Sequence, residues 1–462
     1  MSGISYTPDE PIVAIATPLV PAALGIVRVS GKSCIDLLAR TFSRPAALRA
    51  ASGNTVVYGW IMQGAVRIDE VLVSVFRAPK SFTGEEMAEI TCHGGPAVIR
   101  AIYELLCMQG FRRAERGEFT FRAFLNGKTD LTRAEAVQEI IDSKSTVSRE
   151  RAAGRLAGSV YDEINRIKQV IIDTIAAIEV EIEYPEDEQA IADSFDVQGI
   201  ERVCTDLQQL VDSWRSEKLY QDGAQLVLCG RTNAGKSSIF NQLLKEERAI
   251  VSSVAGTTRD WLESWTSFDG IPVRVFDTAG IRETTDSVER QGVELTHALT
   301  ESADVLAYIV DAAVGMQLDD ESFLSMTIRP VIVVWNKCDD EAQQPQLTDG
   351  QKKLIPQLGG ELLMSAKTGR GLATFISAVC AALIKENGVI HEQPGLGSAR
   401  QKNAVSEALE RVRHAVRESH QCTLDAVVQD LEDALVWLGE VTGSVTSDDI
   451  LDSVFSRFCV GK

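Results

Sequence analysis

The 462-residue sequence is narrowed first by what it lacks. None of its nine cysteines falls in a C-x-x-C pair, which argues against a zinc site and for a reducing compartment. No apolar run reaches the ~18 residues of a membrane span, and the opening MSGISYTPDE has neither the basic nor the apolar part of a signal sequence. The expected location is the cytoplasm, with no membrane partner. Basic residues are scarce: 46 Lys and Arg stand against 66 Asp and Glu, a formal net charge of −20. Such a chain is not expected to grip a nucleic-acid backbone alone, so any work on RNA should lean on a partner. The length suits roughly two to four domains, and an apolar share of 45% supports well-packed cores.

The most informative stretch is LVLCGRTNAGKSSIF, Leu226 to Phe240. An apolar run ends in a glycine turn and a helix follows. That order sets unpaired N–H groups and a positive dipole end where phosphates bind. Gly230 and Gly235 let the backbone wrap closely, Lys236 is expected to reach the β and γ phosphates, and the Ser237 hydroxyl to ligate Mg2+. Asn233, Ala234 and Ser238 belong to the same loop. Downstream, Asp277-Thr278-Ala279-Gly280 closes the apolar run IPVRVF and supplies a carboxylate for magnesium, through water, with a glycine N–H for the γ-phosphate. Asn336-Lys337-Cys338-Asp339 follows PVIVVW, and the Asp339 carboxylate can accept hydrogen bonds from both donors on the guanine edge. Adenine offers no such pair, so GTP is expected over ATP. Ser365-Ala366-Lys367 would receive the guanine carbonyl on backbone N–H groups. Between the first two motifs lies the segment Ser252, Ser253, Val254, Ala255, Gly256, Thr257 and Thr258, expected to close over the γ-phosphate, with Thr258 a second hydroxyl ligand of magnesium. Ile281 follows DTAG where many GTPases place a water-orienting glutamine. Isoleucine cannot do that, and spacing assigns no arginine finger.

Elsewhere, IVAIAT, LGIVRVSG, VVYGWIM, VLVSVF and AEITCHGGP read as short strands of a compact α+β domain, with Pro96 opening a helix. His93, at that turn, reads as a hydrogen-bonded turn residue. Leu156, Val160, Ile164, Ile167, Ile171, Ile175 and Ile178 trace one face of a long amphipathic helix. The acidic stretch Glu179 to Glu188 reads as a solvated connection between helices rather than a metal site. Another helix is expected over 197–219, and two more near 399–418 and 424–441. Their texture suggests that the nucleotide domain is inserted into a helical domain.

GRTNAGKSS, AGTTRD, DTAGIR, SVERQGVE and NKCD, with GIVRVSG, SFTGEEMAEITCHGG, GEFTFRAFLNGKTDLTRAEA and the ending SVFSRFCVGK, resemble the MnmE (TrmE) tRNA-modification GTPases over essentially the full length. The resemblance implies a multidomain α/β chain: an α+β tetrahydrofolate-binding and dimerisation domain over 1–126, a helical domain over 127–221 and 385–462, and an inserted Ras-like P-loop GTPase domain over 222–384. It implies a homodimer that works with the flavoprotein MnmG (GidA), as a heterotetramer or larger complex that meets tRNA mainly through that partner. Together they would place a carboxymethylaminomethyl-type group on C5 of the wobble uridine. It implies 5-formyltetrahydrofolate or a related reduced folate at Arg28, Glu89, Lys128 and Lys462. It further implies Glu289 as the carboxylate that positions water, and K+ held by Asn233, Ser252, Val254 and Thr257. Cys459, in the terminal CVGK, reads either as a nucleophile beside the one-carbon donor or as a small hydrophobe. TPLVPAALGIVRVSG departs from the family's glycine-rich loop before the arginine. Two rivals remain: a switch or ribosome-assembly GTPase without modification chemistry, which would usually carry a basic RNA-binding module, and an autonomous folate-dependent transferase, for which no complete catalytic set is visible.

Overall fold

The computed structural model describes residues 10–183, 197–246, 262–278, 299–340, 344–387, 395–418 and 424–462. The chain divides into two compact units, Met1–Gln138 with Leu435–Lys462, and Glu139–Ala434.

The first unit is built on a six-stranded sheet of β1 (Ile12–Ile15), β2 (Leu24–Ser30), β3 (Thr55–Gln63), β4 (Val66–Phe76), β5 (Met87–His93) and β6 (Arg112–Arg113), in the order β3-β4-β5-β2-β1-β6. The expected strands alternate as half-buried strands should: Val71, Val73 and Val75 of β4 and Ile90 and Cys92 of β5 are buried, while the residues between them are more open. Helix Pro96–Met108 covers the inner face with Ile99, Ile102, Leu105 and Leu106, and proline occupies its first turn. Gly25 permits this contact, since a Cβ there would lie 2.5 Å from the Ile99 side chain. The two-residue β6, parallel to β1, was not expected; so short a run carries no periodicity. Helix Glu118–Leu125 then presents Phe121, whose ring meets Phe455 edge-on at 5.2 Å. That contact docks the last helix, Asp448–Phe455, and with it the chain's final residues.

The second unit carries the sheet β12-β11-β10-β7-β9-β8. Its strands are β7 (Ala224–Gly230), β8 (Leu262–Phe268), β9 (Ile271–Asp277), β10 (Val305–Asp311), β11 (Val331–Asn336) and β12 (Leu358–Leu363). All pairings are parallel except β8 with β9. Buried on both faces, the central strands are continuous apolar runs rather than alternating ones. Every nucleotide motif in the described residues follows the carboxyl end of one of these strands, the usual location of ligands in open α/β sheets.

Two expectations about helices need correction. The apolar stripe from Leu156 to Ile178 is not one helix: Thr146–Ala157 ends at Gly158, whose φ of 115° is a left-handed cap, and Ser159–Glu183 starts afresh. Leu156 is partly exposed, while Val160, Ile164, Ile167, Ile171, Ile175 and Ile178 are buried. The acidic stretch is helical as far as Glu183, because nothing before Pro185 breaks the helix; residues 184–196 lie outside the described residues. Helix Val197–Asp222 runs directly into β7 and packs along Ala399–Glu418.

A buried charge cluster holds these helices. Glu217 Oε1 accepts from Arg151 Nη1 at 2.8 Å, and Oε2 from Arg155 Nη1 at 2.7 Å. Arg155 also pairs with Glu139. Glu217 further accepts the Gly395 N–H at 2.8 Å, tying the chain where it leaves for β7 to the segment that returns. Gly395 must be glycine, since a Cβ would meet the Ser213 hydroxyl at 2.0 Å.

Candidate nucleotide-binding site

The loop after β7 turns under tight constraint. Gly230 has φ 129°, and a Cβ there would lie 2.2 Å from the Ile309 carbonyl oxygen. Gly235 has φ 99°, and its Cβ would meet Asn336 Nδ2 at 2.1 Å. Asn233, between them, also has positive φ, at 64°, a conformation asparagine tolerates better than most residues. Helix Lys236–Glu246 begins at once, so its first-turn N–H groups face the space the loop encloses. That space is a cavity of about 920 Å³ lined by Gly230, Asn233, Lys236, Ser237, Ser238, Thr278 and Lys337 among others.

Lys236 is buried, with its ammonium donating to the Gly230 and Arg231 carbonyls at 2.9 Å each. Ser237 Oγ donates to Asp277 Oδ2 at 2.6 Å. This hydroxyl and carboxylate, from the first helical turn and the end of β9, are the hard oxygen donors a magnesium ion prefers. Thr278 is turned elsewhere: its hydroxyl donates to the Leu228 carbonyl at 2.8 Å.

Asn336, buried at the end of β11, is a strut between two loops. Its Nδ2 donates to the Ala234 carbonyl at 2.8 Å, and its Oδ1 accepts from the Ala366 N–H at 3.1 Å. The first and last motifs thus meet on one amide side chain. Asp339 Oδ1 accepts the Ser365 hydroxyl at 2.5 Å, which fixes the carboxylate's orientation and leaves Oδ2 for a ligand. Lys367 is exposed. Ser252, Ser253, Val254, Ala255, Gly256, Thr257, Thr258, Ala279, Gly280, Ile281 and Glu289 lie outside the described residues.

Sequence reasoning passed over part of the wall. Arg231, Tyr308, Asp320 and Phe323 also line the cavity. Tyr308 donates to Asp320 Oδ1 at 2.6 Å; burial, then the hydrogen bond to that carboxylate, pushes its phenol upward. The available signal was one hydroxyl inside the apolar run VLAYIVD.

A second cluster lies in the first unit. Arg28 on β2 faces Glu89 on β5 in register. It donates to Glu89 Oε1 from Nε at 2.9 Å and Nη2 at 2.7 Å, and from Nη1 to the Gly461 carbonyl at 3.0 Å. The Phe119 and Phe82 rings flank the guanidinium at 5.5 and 5.7 Å. The ending is held by backbone: Phe119 N–H donates to the Lys462 carbonyl at 3.1 Å, and Val460 bridges to Arg116. Cys459 is exposed. Lys128 donates to the Pro79 carbonyl at 3.1 Å, on the segment that carries Phe82. Arg28, Glu89 and the terminal residues are therefore together, with Arg28 and Glu89 bonded to each other. His93 is a hydrogen-bonded strand-end residue: its Nδ1 lies 2.7 Å from Asp69 Oδ1, and its N–H donates to Asp69 Oδ2.

Two family models match the chain: the GTP-binding protein TrmE N-terminus over residues 11–128 and the MnmE helical domain over 131–459. A tRNA modification GTPase MnmE of Treponema denticola is 48% identical, covering 99% of each chain. Proteins of the same name from Treponema pallidum and Carboxydothermus hydrogenoformans are 42% and 39% identical, covering 100% and 98% of this chain and all of theirs. With the two models spanning both units and the identity sustained from end to end, the chain belongs to the MnmE (TrmE) family.

Proposed function

We propose that the protein is a GTP-hydrolysing enzyme of tRNA modification, as its relatives are named. The observation that supports this best is the Asn336 strut, which joins the phosphate-binding loop to the Ala366 loop and so ties the motif for phosphate to those for the base. Lys236 moves from the loop carbonyls to the β and γ phosphates, and Asp339 with the Ala366 loop reads guanine. Ser237, Thr258 and, through water, Asp277 hold magnesium, which neutralises charge on the phosphate oxygens. Glu289 positions the attacking water, since Ile281 cannot. Asn233 with Ser252, Val254 and Thr257 holds potassium, in place of an arginine finger.

The domain division is 1–126, 127–221, 222–384 and 385–462. The first domain dimerises and binds a reduced folate through Arg28, Glu89, Lys128 and Lys462, with Cys459 beside it. The flavoprotein MnmG is the partner that meets tRNA, and the complex is cytoplasmic; the acidic charge of this chain favours that division of labour. The modification reading is tested by mass analysis of wobble uridine from cells lacking the chain: a missing carboxymethylaminomethyl-type group supports it, and unchanged nucleosides would leave only a switch GTPase. GTP hydrolysis by the purified protein should be faster in potassium than in sodium at equal ionic strength, and Asn233→Ala should erase the difference. Equal rates in the parent would remove the potassium assignment.

A further inference from the structure

Lys337 forms part of the cavity wall two residues before Asp339, and something must hold so long and flexible a side chain there. It leaves β11 with φ 67°, a left-handed conformation that turns the chain sharply. Its ammonium donates to Asp311 Oδ2 at 2.7 Å. Asp311 ends β10 and pairs in register with Asn336, which ends β11. It is itself well fixed: Oδ1 accepts the Ala313 N–H at 3.0 Å, and its carbonyl accepts from Gly315 N at 2.9 Å. The Asp311 side chain is 18% exposed against 46% for Lys337, so the carboxylate is the anchored partner and the lysine the mobile one. Partial burial pushes the Asp311 carboxyl upward, but the hydrogen bonds from Lys337 and the Ala313 N–H outweigh it and hold the group below the ordinary carboxylate range. Asp311 is therefore a carboxylate at neutral pH.

We propose that Asp311 is a positioning residue for the guanine nucleotide: it acts through Lys337, holding that side chain as a fixed wall of the base-binding end of the cavity. The inference rests on the GTP reading above. Without the carboxylate, a lysine lying within reach of a polyphosphate site is free to rotate into solvent or toward the phosphates. Asp311 touches no reacting atom, so its effect falls on ground state and transition state alike, which raises KM and leaves kcat alone.

The test is a double-mutant cycle on the full chain, read by steady-state GTP hydrolysis and by binding of fluorescent GDP. Asp311→Ala should raise the GTP KM and the GDP Kd about fivefold, the size of one partly exposed ion pair, with kcat unchanged. Asp311→Asn, whose single amide oxygen can still accept the Ala313 N–H but which turns an NH2 donor toward the Lys337 ammonium, should lose about as much. In a Lys337→Ala background, Asp311→Ala should add nothing. An unchanged KM, an equal fall in kcat, or the same fivefold loss without Lys337 would overturn the inference. Should Asp311→Ala lower the melting temperature, Asp311→Ser takes its place in the cycle, since its hydroxyl still caps the Ala313 N–H. A parent protein that bound no guanine nucleotide would refute the GTP reading instead.

Discussion

In the nucleotide site, polar side chains at or just after the ends of parallel strands are held by residues of other strand ends and loops: Ser237 by Asp277, Asn336 by Ala234 and Ala366, Lys337 by Asp311. The Arg28 cluster is assembled differently. Its two side chains are cross-strand neighbours, but the third member is the carbonyl of Gly461, 433 residues away in sequence. The first site is the property of a sheet and its loops; the second depends on how the final residues dock. Loss of a single group should therefore act locally on the nucleotide side, whereas on the Arg28 side it should release a carboxylate and a stretch of backbone together.

The largest expected effect is on the nucleotide side. Glu289→Ala should bind GTP normally and hydrolyse it on the order of tenfold to a thousandfold more slowly, as removal of one positioning group does; near-normal single-turnover rates would show that another residue holds the water. Next, Asp339→Asn should lose GTP affinity by roughly a hundredfold, since two hydrogen bonds to a charged group go at once, and should gain affinity for xanthosine triphosphate. Unchanged GTP binding by calorimetry would sink the base assignment. On the other side, Arg28→Ala should weaken binding of 5-formyltetrahydrofolate by about tenfold, the loss of one charge-assisted contact, and leave GTP hydrolysis intact. Equal folate binding in parent and variant would detach Arg28 from that role.

The smallest effect concerns His93. Its hydrogen bond to Asp69, then the charge of that carboxylate, raise the ring's pKa above 6.5. The ring's NMR signals should titrate above that value, and Asp69→Asn should bring them back toward it. The sign follows: charged His93 stabilises the fold below its ordinary pKa, and the contribution disappears as pH rises through the raised one. A histidine that titrates identically in both proteins would contradict the pair.

What the sequence made legible follows the same division. The β7 loop, the carboxylate ending β9 and the Asn336–Asp339 motif could be read because their residues are consecutive and their chemistry depends on strand-end geometry. Asp311 and Tyr308 could not, because each is a polar residue in an apolar run whose partner is chosen by the fold. The break at Gly158 was missed because the apolar stripe continues across it, and only the left-handed φ ends the helix. Gly461 next to Arg28 was within reach only by resemblance; no local pattern joins positions so distant.

The Glu217 cluster has a consequence for the order in which the chain is made. Arg151 and Arg155 carry two positive charges and Glu139 and Glu217 two negative ones, and all four residues precede β7. As synthesis proceeds, this set can neutralise itself before any strand of the nucleotide sheet exists. The Gly395 N–H comes 178 residues after Glu217. At ~5–20 residues per second, it reaches its acceptor roughly ten to thirty-five seconds later. The nucleotide domain thus leaves from, and returns to, a charge-balanced cluster whose four side chains all precede its first strand in sequence.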